Sequence, residues 1–210
     1  MKEIAKFSGI LLLVTVVAAG SLSAVNSITK PRIERQRQLK TLEALAWVLP
    51  GVSAEQVEAV TRDGRVLYYV GFQGAGKEHV LGYAVPGKSK GYAGDVETLV
   101  GVDTAFTIKG IRVLAQRETP GLGTKIMETR AGEEVPYFQA QFVGRTAEQC
   151  KVDKDGGPIV SIIGATISSR AVAAGVAAAI DSLRVWLRAS VSSPEQGQGA
   201  SPEYSTQVRQ

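Results

Sequence analysis

The sequence predicts an α+β fold: a mostly antiparallel, twisted sheet packed with helices, preceded by one N-terminal helix long enough to span a bilayer. Three observations predict it. No charged residue lies between Lys6 and Lys30; several segments after Thr61 alternate like strands and are joined by short glycine turns; an alanine-rich helix follows Thr166. At 210 residues the chain has room for one compact domain with accessories. Its pattern divides it into an anchor at 1–29, a folded domain at 30–190 and a tail at 191–210.

FSGILLLVTVVAAGSLSAV, Phe7 to Val25, is long enough to cross a bilayer at about 1.5 Å per residue. A signal peptide is the rival, with Lys2 and Lys6 as its basic start and Ser-Leu-Ser-Ala as its cleavage site. Apolar character that continues through Ala24 and Val25 favours an uncleaved anchor. The flank on the C-terminal side is the more basic, which by the positive-inside rule argues for a cytoplasmic C-terminus, although a large following domain weakens that rule. Next, IERQRQLKTLEALAWVL places Ile33, Leu39, Leu42, Leu45, Ala46 and Leu49 at helical spacings, and Pro50-Gly51 ends the helix. Ser53 to Gln56 has the shape of a capping box and opens a short turn.

The strands follow. TRDGRVLYYVGF carries an Asp-Gly turn and then an alternation that puts Val66, Tyr68, Val70 and Phe72 on one side. HVLGYAV, VETLVGV and IKGIRVLAQ read the same way, and short glycine turns between them favour antiparallel pairing. The helix after Thr166 covers one face of that sheet. The last stretch, SVSSPEQGQGASPEYSTQVRQ, is too polar to offset its ordering entropy and reads as disordered.

Composition excludes several functions. Most of the net charge of +4 comes from Lys30, Arg32, Arg35, Arg37 and Lys40, next to the apolar segment, which suits a lipid surface and leaves no nucleic-acid footprint elsewhere. A single cysteine, Cys150, forms no internal disulfide, and nothing in its Glu-Gln-Cys-Lys-Val context activates it, so it reads as a buried or incidental thiol. With one histidine, His79, metal chemistry by His and Cys is excluded. GFQGAGKE, Gly71 to Glu78, fits a phosphate loop as far as its lysine. Glu78 then stands where a hydroxyl would bind magnesium, and a strand follows where a helix is required, so a hairpin turn explains it better.

Two further stretches carry the functional reading: GYAGDVETLVGVD, Gly91 to Asp103, and ETPGLGTKI, Glu118 to Ile126. Pro120, Gly121 and Gly123 hold a tight turn that lets a ligand approach closely. Each alone is a structural turn as readily as a site. In order, GYAGDVETLVGVD, RETPGLGTKI, PYFQAQFVGR and GATISSRAV resemble the FMN-binding domain of the RnfG/RsxG family, a component of the membrane-bound Rnf electron-transport complex related to NqrC. The resemblance runs from the anchor to about Leu187.

The resemblance implies an electron-relay subunit that is no catalyst by itself, in a complex coupling ferredoxin and NAD oxidation-reduction to Na+ or H+ movement. It also implies FMN joined by a phosphoester to the threonine ending an [ST]-G-A-T motif, here Thr166, by a dedicated flavin transferase, and a domain on the outer, periplasmic side of the inner (plasma) membrane. Partners are then the other subunits of the complex, the transferase and membrane lipid. Physics agrees at Thr166: a helix N-terminus favours a phosphate there. Gly164 and Ala165 are small enough to admit the cofactor, Ile167 follows on the helix, and Ser168 and Ser169 cap the helix or donate to the phosphate. Glu118, Thr119, Gly121 and Leu122 are expected near the isoalloxazine ring or its ribityl chain. Two positions depart from the family: Ile163 replaces Ser or Thr, and Val160 stands where an aspartate is usual, with Asp153 and Asp155 too far upstream in sequence. A flavin-free, membrane-tethered scaffold protein of such a complex is the alternative that these departures leave open.

Overall fold

A computed structural model describes residues 2–74 and 79–192. The expected anchor and the helix after it are one element, α1 (Lys2–Val48), which continues through Pro31. It is the one helix, among the described residues, long and apolar enough to cross a membrane. It ends where expected, with Gly51 in the left-handed region at φ +89°. Gln56 Oε1 then accepts from the Ser53 N–H and hydroxyl, forming the expected turn.

Five strands follow in the order of the chain: β1 (Val57–Arg62), β2 (Arg65–Gln73), β3 (His79–Lys90), β4 (Asp95–Asp103) and β5 (Ile108–Ala115). All neighbours are antiparallel, so the sheet is a simple meander. The Asp63-Gly64 turn is tight because both residues have positive φ, 52° and 72°, which suits a two-residue hairpin. That hairpin creates β1, a strand that the alternation did not reveal. It is an edge strand whose only partly buried residues are Val57 and Val60, so it carries no clear period. On the other side of β2, β3 begins at His79 as a strand, and no helix follows the glycine-rich GFQGAGKE stretch, of which 75–78 lie outside the described residues.

The sheet is covered on both faces. Helix α3 (Thr166–Ser192) lays Val172, Val176, Ala179, Ile180 and Leu183 on one face at helical spacing, against Val85, Val96, Val100 and Val102. Its small residues permit a close approach: a Cβ on Gly87 would lie 2.7 Å from the Gly175 carbonyl oxygen. The other face takes the C-terminal end of α1. Ala44, Leu45, Val48 and Leu49 are buried there against Ala84 and Leu99. Gly101 and Gly110 let the helix backbone sit directly on the strands; a Cβ on Gly101 would run into the Val48 carbonyl oxygen. Of the apolar stripe expected along this helix only Leu45 and Leu49 are buried, while Ile33, Leu39, Leu42 and Ala46 stand exposed. The tail expected from 191 lies, from 193 onward, outside the described residues.

After β5 the chain packs as turns beside the sheet end. The PYFQAQFVGR segment forms α2 (Tyr137–Ala140) and buries Phe138 and Phe142 edge to face, 5.7 Å between ring centres. Buried Gln139 donates to the Ile126 carbonyl at 2.8 Å and accepts from the Val113 N–H at 3.4 Å, so it joins β5 to the turn after it. Phe138, Gln139 and Phe142 of this motif are therefore architectural. Cys150 is buried, its thiol donates to the Thr146 carbonyl at 3.3 Å, and burial pushes its pKa up to about 12. It is an inert thiol.

Candidate functional site

Folding brings the three glycine-rich motifs together at the N-terminal end of α3. The chain reaches that end through Gly164, whose φ of +79° is left-handed, and the Ala165 N–H donates to the Ile162 carbonyl at 2.9 Å to close the turn. Thr166 is the first helical residue and is half-buried; Ile163 and Gly164 are exposed. A hydroxyl at the first position of a 27-residue helix stands among unpaired N–H groups, where a phosphate is favoured.

Ser168 and Ser169 take a different part from the one expected. Both are buried, and their hydroxyls face inward. Ser169 Oγ accepts from the Ile162 N–H and donates to the Ala165 carbonyl, both at 3.0 Å, so it braces the turn from behind. Ser168 Oγ donates to the carboxylate of Glu118, fifty residues earlier in the chain. These engaged hydroxyls hold the turn in shape and leave Thr166 as the hydroxyl of the motif that is only half-covered.

Glu118 is the junction of the motifs. It is 4 % exposed, and besides Ser168 its oxygens accept from the Tyr92 and Ala93 N–H groups, each at 3.2 Å. The carboxylate thereby joins the GYAG loop, the ETPGLG turn and the first turn of α3. The glycines around it are needed for space: a Cβ on Gly91 would strike Glu118 Oε1, and one on Gly123 would lie 2.6 Å from Glu118 Cβ. Glu118 is therefore a positioning residue set behind the surface. Thr119, Gly121 and Leu122 sit in front, exposed, with Gly121 left-handed at φ +73° and its N–H donating to Thr124 Oγ1 at 3.0 Å. Leu122 reaches Gly164, whose added Cβ would meet Leu122 Cδ2 at 3.4 Å. Ile167 stands half-exposed on the helix beside Thr166.

The two departures from the family pattern lie on the surface. Ile163 is 95 % and Val160 63 % exposed, so neither side chain fills the space around Thr166. Asp153 and Asp155, too distant in sequence to occupy the Val160 position, reach the same turn in space. Asp153 Oδ1 accepts from the Ser161 N–H at 3.0 Å, and that bonding to Ser161 holds its carboxyl below the usual carboxylate range. Asp155 forms a two-pronged ion pair with Arg170 on the first turns of α3, at 2.6 and 2.7 Å, which likewise lowers its pKa. Spacing along the chain did not reveal these contacts, because a loop closed by the Val152–Ile159 bridge folds the acids back.

Sequence reasoning missed the groove beside the turn. It holds about 430 Å3 and is lined by Lys125, Arg130, Tyr137, Gln141 and the strip Val160–Ile163. The Arg130 guanidinium lies 4.3 Å from the centre of the Tyr137 ring.

Residues 91–181 match the model of the FMN-binding domain, and residues 1–48 match that of the RnfG N-terminal region. The G subunit of the ion-translocating oxidoreductase complex of Methanosarcina acetivorans is 35% identical over 188 residues, 86% of this chain and 94% of that protein. The G subunit of the Na(+)-translocating ferredoxin:NAD(+) oxidoreductase complex of Acetobacterium woodii is 32% identical over 193 residues, 83% of this chain and 89% of that one. In fold the chain is similar to the C subunit of the Na(+)-translocating NADH-quinone reductase of Parabacteroides distasonis, with a TM-score of 0.51 at 19% identity over 74% of this chain and 95% of that one. With its apolar N-terminal helix, its FMN-binding domain and relatives of this likeness along most of its length, the chain belongs to the RnfG family, the G subunits of ion-translocating oxidoreductase complexes.

Proposed function

We propose that this protein is the membrane-anchored electron-relay component of an Rnf-type complex and carries FMN through a phosphoester on Thr166. The observation that carries the reading is the state of the turn at Gly164–Thr166: a half-buried threonine hydroxyl at the start of a long helix, braced from behind by Ser168, Ser169 and Glu118. The residues fit the group. Helix N–H groups and the helix dipole favour its phosphate by up to about 2 kcal/mol in a partly buried site. Gly164 leaves room beside it, and Leu122 and Ile167 offer apolar surface for the ring. When bound, FMN supplies reversible electron transfer; the protein orients it and sets its electrostatic surroundings. No general base or nucleophile is needed for that role.

Ile163 and Val160 stand exposed and leave the acceptor uncovered, which favours the flavin-carrying reading over a flavin-free scaffold. The other partners are the remaining subunits of the complex, as the names of the relatives imply for them, and the bilayer around α1. Lys30, Arg32, Arg35, Arg37 and Lys40 lie just beyond the apolar stretch, where each basic side chain gains about 1 kcal/mol near anionic headgroups. We place the folded domain on the extracytoplasmic side; a domain of this size translocates largely regardless of flanking charge. Ferredoxin and NAD as end partners, and Na+ or H+ as the coupled ion, complete the proposal.

The test is co-expression with a flavin transferase, denaturing electrophoresis and ultraviolet-excited fluorescence, with Thr166→Ala alongside. A fluorescent band from the wild type that disappears in the variant is expected. A folded wild type that stays dark, beside a control substrate that is labelled, would move the assignment to the scaffold reading.

A further inference from the structure

Beyond the bilayer stretch, α1 carries a second pattern that the functional reading leaves unused. Val25, Arg32, Leu39 and Ala46 recur every seven residues, and Ile28, Arg35 and Leu42 repeat the interval three residues on. Apolar residues at alternating spacings of three and four form the contact stripe of a coiled coil. Every position of this stripe is exposed, with Leu39 at 54 % and Leu42 at 43 %, whereas Ala44, Leu45 and Val48 on another side of the helix enter the sheet. The register runs back into the apolar segment through Ala18 and Ser21, small residues that let a second helix approach closely. Every residue from 30 to 40 is exposed, and Pro31 withholds a backbone hydrogen bond there. A helix so placed takes little support from its own chain, and helices in proteins are stabilised chiefly by packing one face.

Two arginines interrupt the stripe, and their neighbours set them apart from the other bases nearby. Lys30 has Glu34 four residues on, Arg37 has the same Glu34 three residues back, and Lys40 has Glu43 three residues on. Those are the spacings at which side chains pair along a helix. Arg32 and Arg35 have no acid at either spacing, and Gln36 and Gln38 beside the stripe are neutral. A second copy laid alongside in parallel would set its own arginines against these two, which is unfavourable.

We infer that this stripe docks an amphipathic helix of another membrane protein, one that offers two carboxylates at the level of Arg32 and Arg35 between apolar side chains. The inference rests on the proposed place of the chain in a complex and deepens it; the flavin has no part in it. A planar guanidinium meets a carboxylate with two parallel hydrogen bonds, so the arginines fix both the register and the choice of partner. Lys30, Arg37 and Lys40 lie off the stripe and remain for the headgroups.

The test uses the full-length protein and the double variant Arg32→Glu/Arg35→Glu, which stands in for the acidic partner. Both are purified in mild detergent, checked for a cooperative domain melt, and weighed by sedimentation equilibrium alone and mixed. Each alone is expected to be a monomer. The mixture is expected to form a one-to-one pair that weakens at high salt, because parallel alignment sets glutamate against arginine at both levels. A mixture that stays monomeric would overturn the inference, and a wild type that dimerises by itself would overturn the acidic partner. In cell membranes, a tagged chain with the same two substitutions is expected to co-purify about tenfold less of the other subunits, since each buried charge would face its partner reversed. Arg37→Glu/Lys40→Glu, an equal change of charge off the stripe, is expected to leave the yield unchanged. Equal losses from the two pairs would assign the charge to anionic headgroups and overturn the inference, as would an intact complex with R32E/R35E. A wild type that brings down no other subunit would overturn the place in a complex, whereas the mixture reads the stripe itself, so the two failures are distinct.

Discussion

Glu118 shows how a single side chain organises the site. Its two oxygens receive three donors, the Tyr92 and Ala93 N–H groups and the Ser168 hydroxyl, in a setting nearly closed to water. A carboxylate accepts at both oxygens, whereas the amide of a glutamine would set its own N–H against at least one of those donors. Glu118→Gln is therefore expected to destabilise the domain by about 1–3 kcal/mol, the penalty for a buried donor without an acceptor. Ser168→Ala removes one of the same contacts, so the two substitutions should not add. Denaturant unfolding of both singles and the double should give a coupling of about 0.5 kcal/mol or more. Additivity would mean that the contact does not link the ETPGLG turn to α3. Glu118, Thr119, Gly121 and Leu122 were singled out as a group by the family resemblance, but their division of labour was not legible in the sequence. One residue turns inward and the others outward, and only the fold sets that direction.

At the scale of elements, α3 organises the molecule, and one of its ties can be titrated. Arg184 on its solvent side bonds Glu148 at 2.7 Å, on a 3-10 turn (Ala147–Gln149) that Thr146 caps. Bonding to the Thr146 side chain, and then to Arg184, lowers the Glu148 carboxyl from an ordinary 4.5 to about 2. Because its pKa falls on folding, its contribution is complete above about pH 4.5 and is lost as pH drops toward about 2. Glu148→Gln should thus melt below wild type at pH 7, with a gap that narrows from about pH 4.5 and closes near pH 2. The group is exposed, so the gap will be small; a gap that widens in acid would refute the sign. The sequence revealed α3 and the strands from β2 to β5 because their apolar periods are regular. It did not reveal β1, which is an exposed edge, or the Lys125–Arg130–Tyr137 groove, whose walls come from segments far apart in the chain.

At the scale of the whole molecule, the anchor and the flavin domain share one rod. Forty-seven helical residues span about 70 Å, of which the apolar stretch Phe7–Val25 takes about 28 Å. The exposed part of α1 beyond it, up to Ala44, holds the domain clear of the apolar segment, and the last turn is then built into the sheet. The match to the RnfG N-terminal region ends at residue 48, yet Ala44, Leu45 and Val48 belong physically to the core that lies across that boundary. Removing them with Leu49 would uncover Ala84, Leu99 and the backbone at Gly101 and Gly110. At about 1.5–3 kcal/mol for each large aliphatic side chain, that loss is comparable with the whole stability of an ordinary domain, about 5–15 kcal/mol. A fragment of residues 38–192 is therefore expected to be monomeric and to melt cooperatively, while one of residues 51–192 should aggregate or lack a transition, as read by gel filtration and circular dichroism. A cooperative, monomeric 51–192 fragment would show that α1 merely rests on the sheet. If the shorter fragment fails as expected, α1 and the domain behave as one folded body, and the partners of the proposed electron relay must meet Thr166 at the height that the helix sets.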